Sequence, residues 1–124
     1  MMNPVLQIAL GGAAGAVLRH GVGRALPLQG AGFPLATLLV NVSGSLVMGL
    51  LAALMALRWN NQLAPLLMTG LLGGFTTFSA FSLDTLTLWE RGQPVAASIY
   101  VAGSVLLSLA AVIAGLAIGR GIWA

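Results

Sequence analysis

Cysteine is absent from the 124 residues, which excludes disulfides, thiol chemistry and cysteine-ligated metal and leaves the redox compartment unreadable. Charge is scarce as well: five arginines stand against two acids, Asp84 and Glu90, and charged residues make up 6% of the chain. A soluble domain carries roughly a quarter charged residues, so this chain cannot clothe a water-facing surface. One histidine (His20), two acids and no cysteine supply no convincing nucleophile–base pair or metal cluster, and an enzyme is not expected. No internal repeat is detectable. The pI of about 11.4 reflects the arginine excess, which in so apolar a chain suits lipid headgroups rather than nucleic acid.

What the chain does have is length without charge. It is 59% hydrophobic, with a mean hydropathy of +1.02. Residues 1–18, 25–57, 59–83 and 93–119 are uncharged, each long enough for a helix of about 20 residues across a bilayer core of about 30 Å. The expected fold is an all-α membrane protein, one domain over residues 1–124, with four transmembrane helices at about 3–25, 33–57, 63–89 and 95–118. The first stretch lacks a basic n-region and a cleavage site followed by a soluble domain, and is read as a retained span. The connections are "LPLQGAGFP", "RWNNQ" and "ERGQP". Trp59, Trp89 and Trp123 fall at span ends, where amphipathic rings favour the membrane interface.

Four spans place Arg58 and Arg120 on one side of the membrane and Arg19, Arg24 and Arg91 on the other. The positive-inside rule has almost no asymmetry to act on. Insertion in both orientations, giving an antiparallel dimer, and orientation by other determinants stand about even on this count. Stripes of Gly, Ala and Ser in "GGAAGAV", "SGSLVMG" and "GSVLLSLAAVIAG" let helices approach closely in lipid. They suit either a partner chain or tight packing within one chain.

Polar groups within the spans are few, and in lipid such groups are usually functional or paired. Tyr100, Ser104 and Ser108 recur at i, i+4 and i+8 and share one helical face. A hydroxyl in a membrane helix often bonds the i−4 carbonyl of its own helix, but three in register favour a polar lining. Asn41 carries an amide whose two donors no apolar neighbour can satisfy. In "GGFTTFSAFS", from Gly73 to Ser82, a Gly-Gly pair and a Thr-Thr pair weaken the helix. The expectation is a break over residues 73–79 that divides the third span. Such a break frees carbonyls, which are good ligands for a hard cation, and two chains meeting at their breaks can close a carbonyl cage. Phe75, Phe78 and Phe81 serve either as packing or, through electropositive ring edges, as loose anion contacts.

With "GGFTTFSAFS", "NVSGS" in the second span, "GGAAGAVLRH" in the first and four spans in a chain of this length, the sequence resembles the Fluc (CrcB) fluoride channels. The resemblance covers essentially the whole chain. It implies a dual-topology antiparallel homodimer in the bacterial inner membrane, with two pores that passively export fluoride trapped in the cytoplasm. It also implies a structural Na+ at the dimer interface, held by the backbone carbonyls of Gly73 and Thr76. The implied pore residues are Asn41, Phe78, Phe81, Tyr100, Ser104 and Ser108, with Arg19 and Asp84 at a vestibule. Two departures stand out. Asp84 occupies a position where similar chains commonly carry glutamate, and Val112 stands where a further hydroxyl would lengthen the track. The partners implied are fluoride, a second copy and membrane lipid. A proton-coupled small multidrug exporter is the competing class, but it needs an embedded acid. The spans offer only Asp84, toward the end of the third.

Overall fold

The computed structural model describes residues 2–26 and 33–124; most of the first connection, 27–32, lies outside them. Helix α1 spans Pro4–Ala25. The Asn3 side chain starts it by accepting the Val5 N–H at 2.7 Å, and Pro4 occupies a first-turn position whose N–H has no intrahelical acceptor anyway. Helix α2 runs Leu35–Leu57. After a short 3-10 turn at Asn61–Leu63 the chain enters a π-helix, Pro65–Leu72, and then a single α turn, α3, Gly73–Phe75. Thr76 (φ −85°, ψ 157°) and Thr77 (φ −152°, ψ 124°) are extended, and α4 follows at Phe78–Glu90. Helix α5 covers Pro94–Trp123.

Among the described residues, four helical stretches are long and apolar enough to cross a membrane: Pro4–Ala25, Leu35–Leu57, Asn61–Glu90 and Pro94–Trp123. The chain is thus an all-helical, multi-pass membrane protein. The last helix extends past the expected end near residue 118, because neither Gly119 nor Gly121 stops it. Gly119 is buried against Ala53 of α2 and the Trp123 ring, and Arg120 in the last turn complements the negative end of the helix dipole.

The helices pack as two backbone-close pairs. On α1 the buried residues are Gln7, Gly11 and Gly15, one face at four-residue spacing. A methyl group on Gly11 would overlap the Leu66 carbonyl oxygen of the π-helix, and one on Gly15 the Leu71 carbonyl oxygen. The same holds between α2 and α5, where a methyl on Gly49 would overlap the Val112 carbonyl and one on Gly115 the Leu46 carbonyl. These glycines of the small-residue stripes are therefore used within the chain. Gly103, by contrast, has no neighbour within 4 Å of where a methyl would sit.

Lipid offers apolar side chains no hydrophobic gain from pairing, so such contacts rest on close van der Waals packing. Gly115→Val is expected to lower stability by at least about 1–3 kcal/mol, the usual cost of overpacking, since the obstacle is backbone and cannot rotate away. Thermal unfolding in detergent reads this loss, and Gly103→Val, facing open space, should leave the transition within a degree or two of the parent.

Candidate functional site

The extended residues between α3 and α4 carry an unusual set of hydrogen bonds. Thr77 N–H donates to Asn41 Oδ1 at 2.8 Å, and Asn41 Nδ2 donates to the Thr77 carbonyl at 3.0 Å. One side-chain amide from α2 thus pairs with both backbone groups of one residue, as a neighbouring strand would. Thr77 also caps α4, its Oγ1 accepting the Ala80 N–H at 3.2 Å. Arg19, from α1, donates Nε–H to the Gly74 carbonyl at 3.1 Å.

These bonds have a consequence for two other carbonyls. In a continuous helix the Thr77 N–H would serve the carbonyl of Gly73 and the Ala80 N–H that of Thr76. Here the first is used on Asn41 and the second on the Thr77 hydroxyl. The Gly73 and Thr76 carbonyls are deprived of those donors, and Gly73 is exposed on the surface of the single chain.

Beside this segment lies a cavity of about 390 Å³, walled by Asn41, Phe78, Phe81, Ser104 and Ser108, with Val112 at its edge. Two groups of hydroxyls stand in contrast. Ser43, Thr76, Ser82, Thr85, Thr87 and Ser98 all donate to the carbonyl four residues earlier, at 2.6–3.0 Å. Ser104 and Ser108 do not: their Oγ atoms are buried and have no hydrogen-bond partner among the described residues. An unpaired buried hydroxyl costs on the order of 1–3 kcal/mol, and such exceptions call for a missing ligand, water or ion. Asn41 retains a second Nδ2 hydrogen beyond the one given to Thr77.

The aromatic residues form a chain. Phe78 and Phe81 have ring centroids 5.5 Å apart, and Phe81 lies 5.2 Å from Tyr100. Phe78 is 77% exposed in the single chain, whereas Tyr100 is fully buried and receives the edge-on contact of Phe33 at 5.5 Å. The Tyr100 hydroxyl donates to Asp84 Oδ2 at 3.1 Å. Tyr100 and Asp84 are therefore joined to each other and lie outside the cavity that holds Asn41, Phe78, Ser104 and Ser108. Asp84 lines a separate cavity of about 230 Å³ together with Arg91 and Thr37.

Arg19 also stands apart from the main cavity. With His20 and Arg24 it lines a third one, of about 310 Å³, whose walls include Thr77. Thr77 lines both this cavity and the main one, and carries the Asn41 pairing. In the sequence Thr77 is one threonine among several. Its signal is its position, last before an apolar helix with a hydroxyl free to cap it. Ser45 also lines the main cavity, and nothing in the sequence sets it apart from the other serines of the second span.

Fold and site together define a small multi-pass helical membrane protein in which Asn41, Phe78, Phe81, Ser104 and Ser108, from three helices, line one cavity. A model of the family described as "CrcB-like protein, Camphor Resistance (CrcB)" matches residues 6–116, and the chain belongs to this family. It is 62% identical over 128 aligned residues, covering 100% of both chains, to a Paracoccus denitrificans (strain Pd 1222) protein named fluoride-specific ion channel FluC. A Rhizobium etli (strain CIAT 652) protein of that name is 60% identical over 116 residues, 91% of this chain and 93% of that one. A third, from Roseobacter denitrificans, is 48% identical across 98% of this chain and 99% of its own.

Proposed function

We propose that this chain forms a fluoride-selective channel that passively exports cytoplasmic fluoride across a bacterial inner membrane and so relieves fluoride toxicity. The observation that carries the reading is the pair of buried, unpartnered hydroxyls of Ser104 and Ser108, on residues that line the same cavity as Asn41 and the two phenylalanines. Fluoride is small and strongly hydrated, and leaves water only for a dense row of donors. The amide hydrogen of Asn41, the two serines and the ring edges of Phe78 and Phe81 supply such a row. They are neutral, so the ion is not held by a fixed positive charge and can leave. Arg19 and Asp84, in flanking cavities, belong to the approaches, and Tyr100 supports the wall behind Phe81. The names of the relatives support the same substrate.

The working unit in this reading is an antiparallel dual-topology homodimer with two pores. The near-even arginine count supports it, as does the exposure of Phe78, which leaves the cavity wall unfinished in one chain. The third span is read as broken within the membrane at Thr76 and Thr77, where non-helical backbone needs burial in protein or a polar cavity. The Gly73 and Thr76 carbonyls fit a structural Na+ at the dimer centre. They are oxygen donors of the kind hard cations prefer, and their helical N–H partners are used elsewhere. That ion would supply charge neutralisation where two sets of carbonyls face each other.

The deciding experiment is ion efflux from liposomes containing the purified protein, with a potassium ionophore to shunt the voltage. Fast fluoride efflux with chloride retained is the expected result. Proton-driven uptake of cationic drugs with no fluoride flux would instead support the small multidrug exporter. That class needs an acid in its pathway, whereas Asp84 accepts the Tyr100 hydroxyl and lies outside the main cavity.

A further inference from the structure

We propose that Arg19 is a positioning residue for the Gly73 and Thr76 carbonyls, acting through Gly74; this rests on the cation reading given above. The guanidinium is half-buried, and its Nε–H donates to the Gly74 carbonyl at 3.1 Å across 55 residues of sequence. Helix α1 approaches the same point by its backbone: a methyl on Gly74 would sit 2.6 Å from the Gly12 carbonyl oxygen. A span-one arginine beside a cavity is easily read as an electrostatic lure for anions, but lures need only charge. This one makes a directed bond to the backbone.

The bond matters because of what it alternates with. The Leu72 carbonyl takes both the N–H and the hydroxyl of Thr76, at 2.9 and 2.8 Å. The Gly74 carbonyl takes Arg19, and the Thr77 carbonyl takes Asn41. Both carbonyls next to that of Gly73, and the one that follows Thr76, are thus anchored by a donor, and each peptide unit is planar and stiff. Anchoring these neighbours restricts the direction in which the Gly73 and Thr76 carbonyls point. Outer hydrogen bonds of this kind orient the ligands of a metal ion, and losing one typically lowers metal affinity about 10–100-fold. Arginine suits the task because its fork is planar and its Nε–H has a fixed direction, whereas lysine offers a mobile point charge.

The test is a Na+ titration of thermal stability in detergent, with Na+ replacing N-methylglucamine at constant ionic strength. A bound ion raises the melting temperature in proportion to log concentration above its dissociation constant. Arg19→Lys, which keeps the charge, is expected to move the Na+ midpoint up about tenfold or more. Gly74→Ala, which displaces the same carbonyl by steric push from Gly12, is expected to do likewise. Arg24→Gln, which removes a charge from the same cavity wall, should leave the midpoint where it is in the parent. A parent that ignores Na+ would overturn the cation reading and the role of Arg19 with it. A parent that responds, with Arg19→Lys and Gly74→Ala sharing its midpoint, would overturn the role of Arg19 alone.

Discussion

Phe78→Ile is expected to slow fluoride efflux about tenfold, and the Phe78→Ile/Phe81→Ile pair about a hundredfold, with the folded protein retained. The numbers follow from the ring quadrupole. A phenyl edge presents partial positive charge, and contacts of this class are worth on the order of 1 kcal/mol. A loss of about 1.4 kcal/mol corresponds to a factor of ten. Isoleucine keeps the wall apolar and of similar bulk but has no polarised edge, so the substitution removes the electrostatics while sparing the packing. Phe78 is 77% exposed in the single chain, so its loss costs little within the subunit. Phe81 packs on both Phe78 and Tyr100, and its replacement should lower the melting temperature more than that of Phe78. The assay is fluoride efflux from liposomes beside a melting curve. Parent-like efflux from the double variant would take the rings out of the pathway.

The sequence announces the spans because lipid imposes a one-dimensional rule, about 20 residues without charge, and α1, α2 and α5 begin within two residues of the expected starts. It announces Asn41 and the Ser104/Ser108 pair because polar groups are conspicuous in an apolar chain. It does not announce what they bond. The expectation covers Gly73–Ser79, on the Gly-Gly and Thr-Thr pairs together; within it Gly73, Gly74 and Phe75 are helical, and the extended residues are the β-branched Thr76 and Thr77. Gly74 instead serves proximity, letting Gly12 approach. Helix propensity speaks about single residues, while this local geometry is decided by two side chains from other helices and one close helix contact. Arg19 to Gly74, Asn41 to Thr77 and the tight seat of α1 on the π-helix all span tens of residues, and no local pattern encodes them. Hydroxyl bonding is also illegible. Nothing in the letters separates Ser98, which bonds its own helix, from Ser104, which does not.

Asn41→Leu is expected to abolish fluoride efflux and to destabilise the protein by a few kcal/mol, and Asn41→Asp separates the two effects. In the parent, the amide accepts the Thr77 N–H at 2.8 Å and donates to the Thr77 carbonyl at 3.0 Å. Leucine leaves both backbone groups unpaired, at about 1–3 kcal/mol each. Aspartate keeps the acceptor for the N–H but has no hydrogen for the carbonyl, so it restores only part of the stability. It also places a negative charge on the wall of the main cavity, where an anion would have to pass, so efflux should remain near background. Were Asn41 only a donor to the passing ion, Asn41→Leu would lose efflux with an unchanged melting temperature. Were it only a structural brace set away from the ion's path, Asn41→Asp would regain efflux in step with stability. Flux that stays lost while stability partly returns is the signature of a side chain that both braces Thr77 and faces the ion's path. The geometry makes that double role economical, because the same bond that holds Thr77 extended aims the second Nδ2 hydrogen.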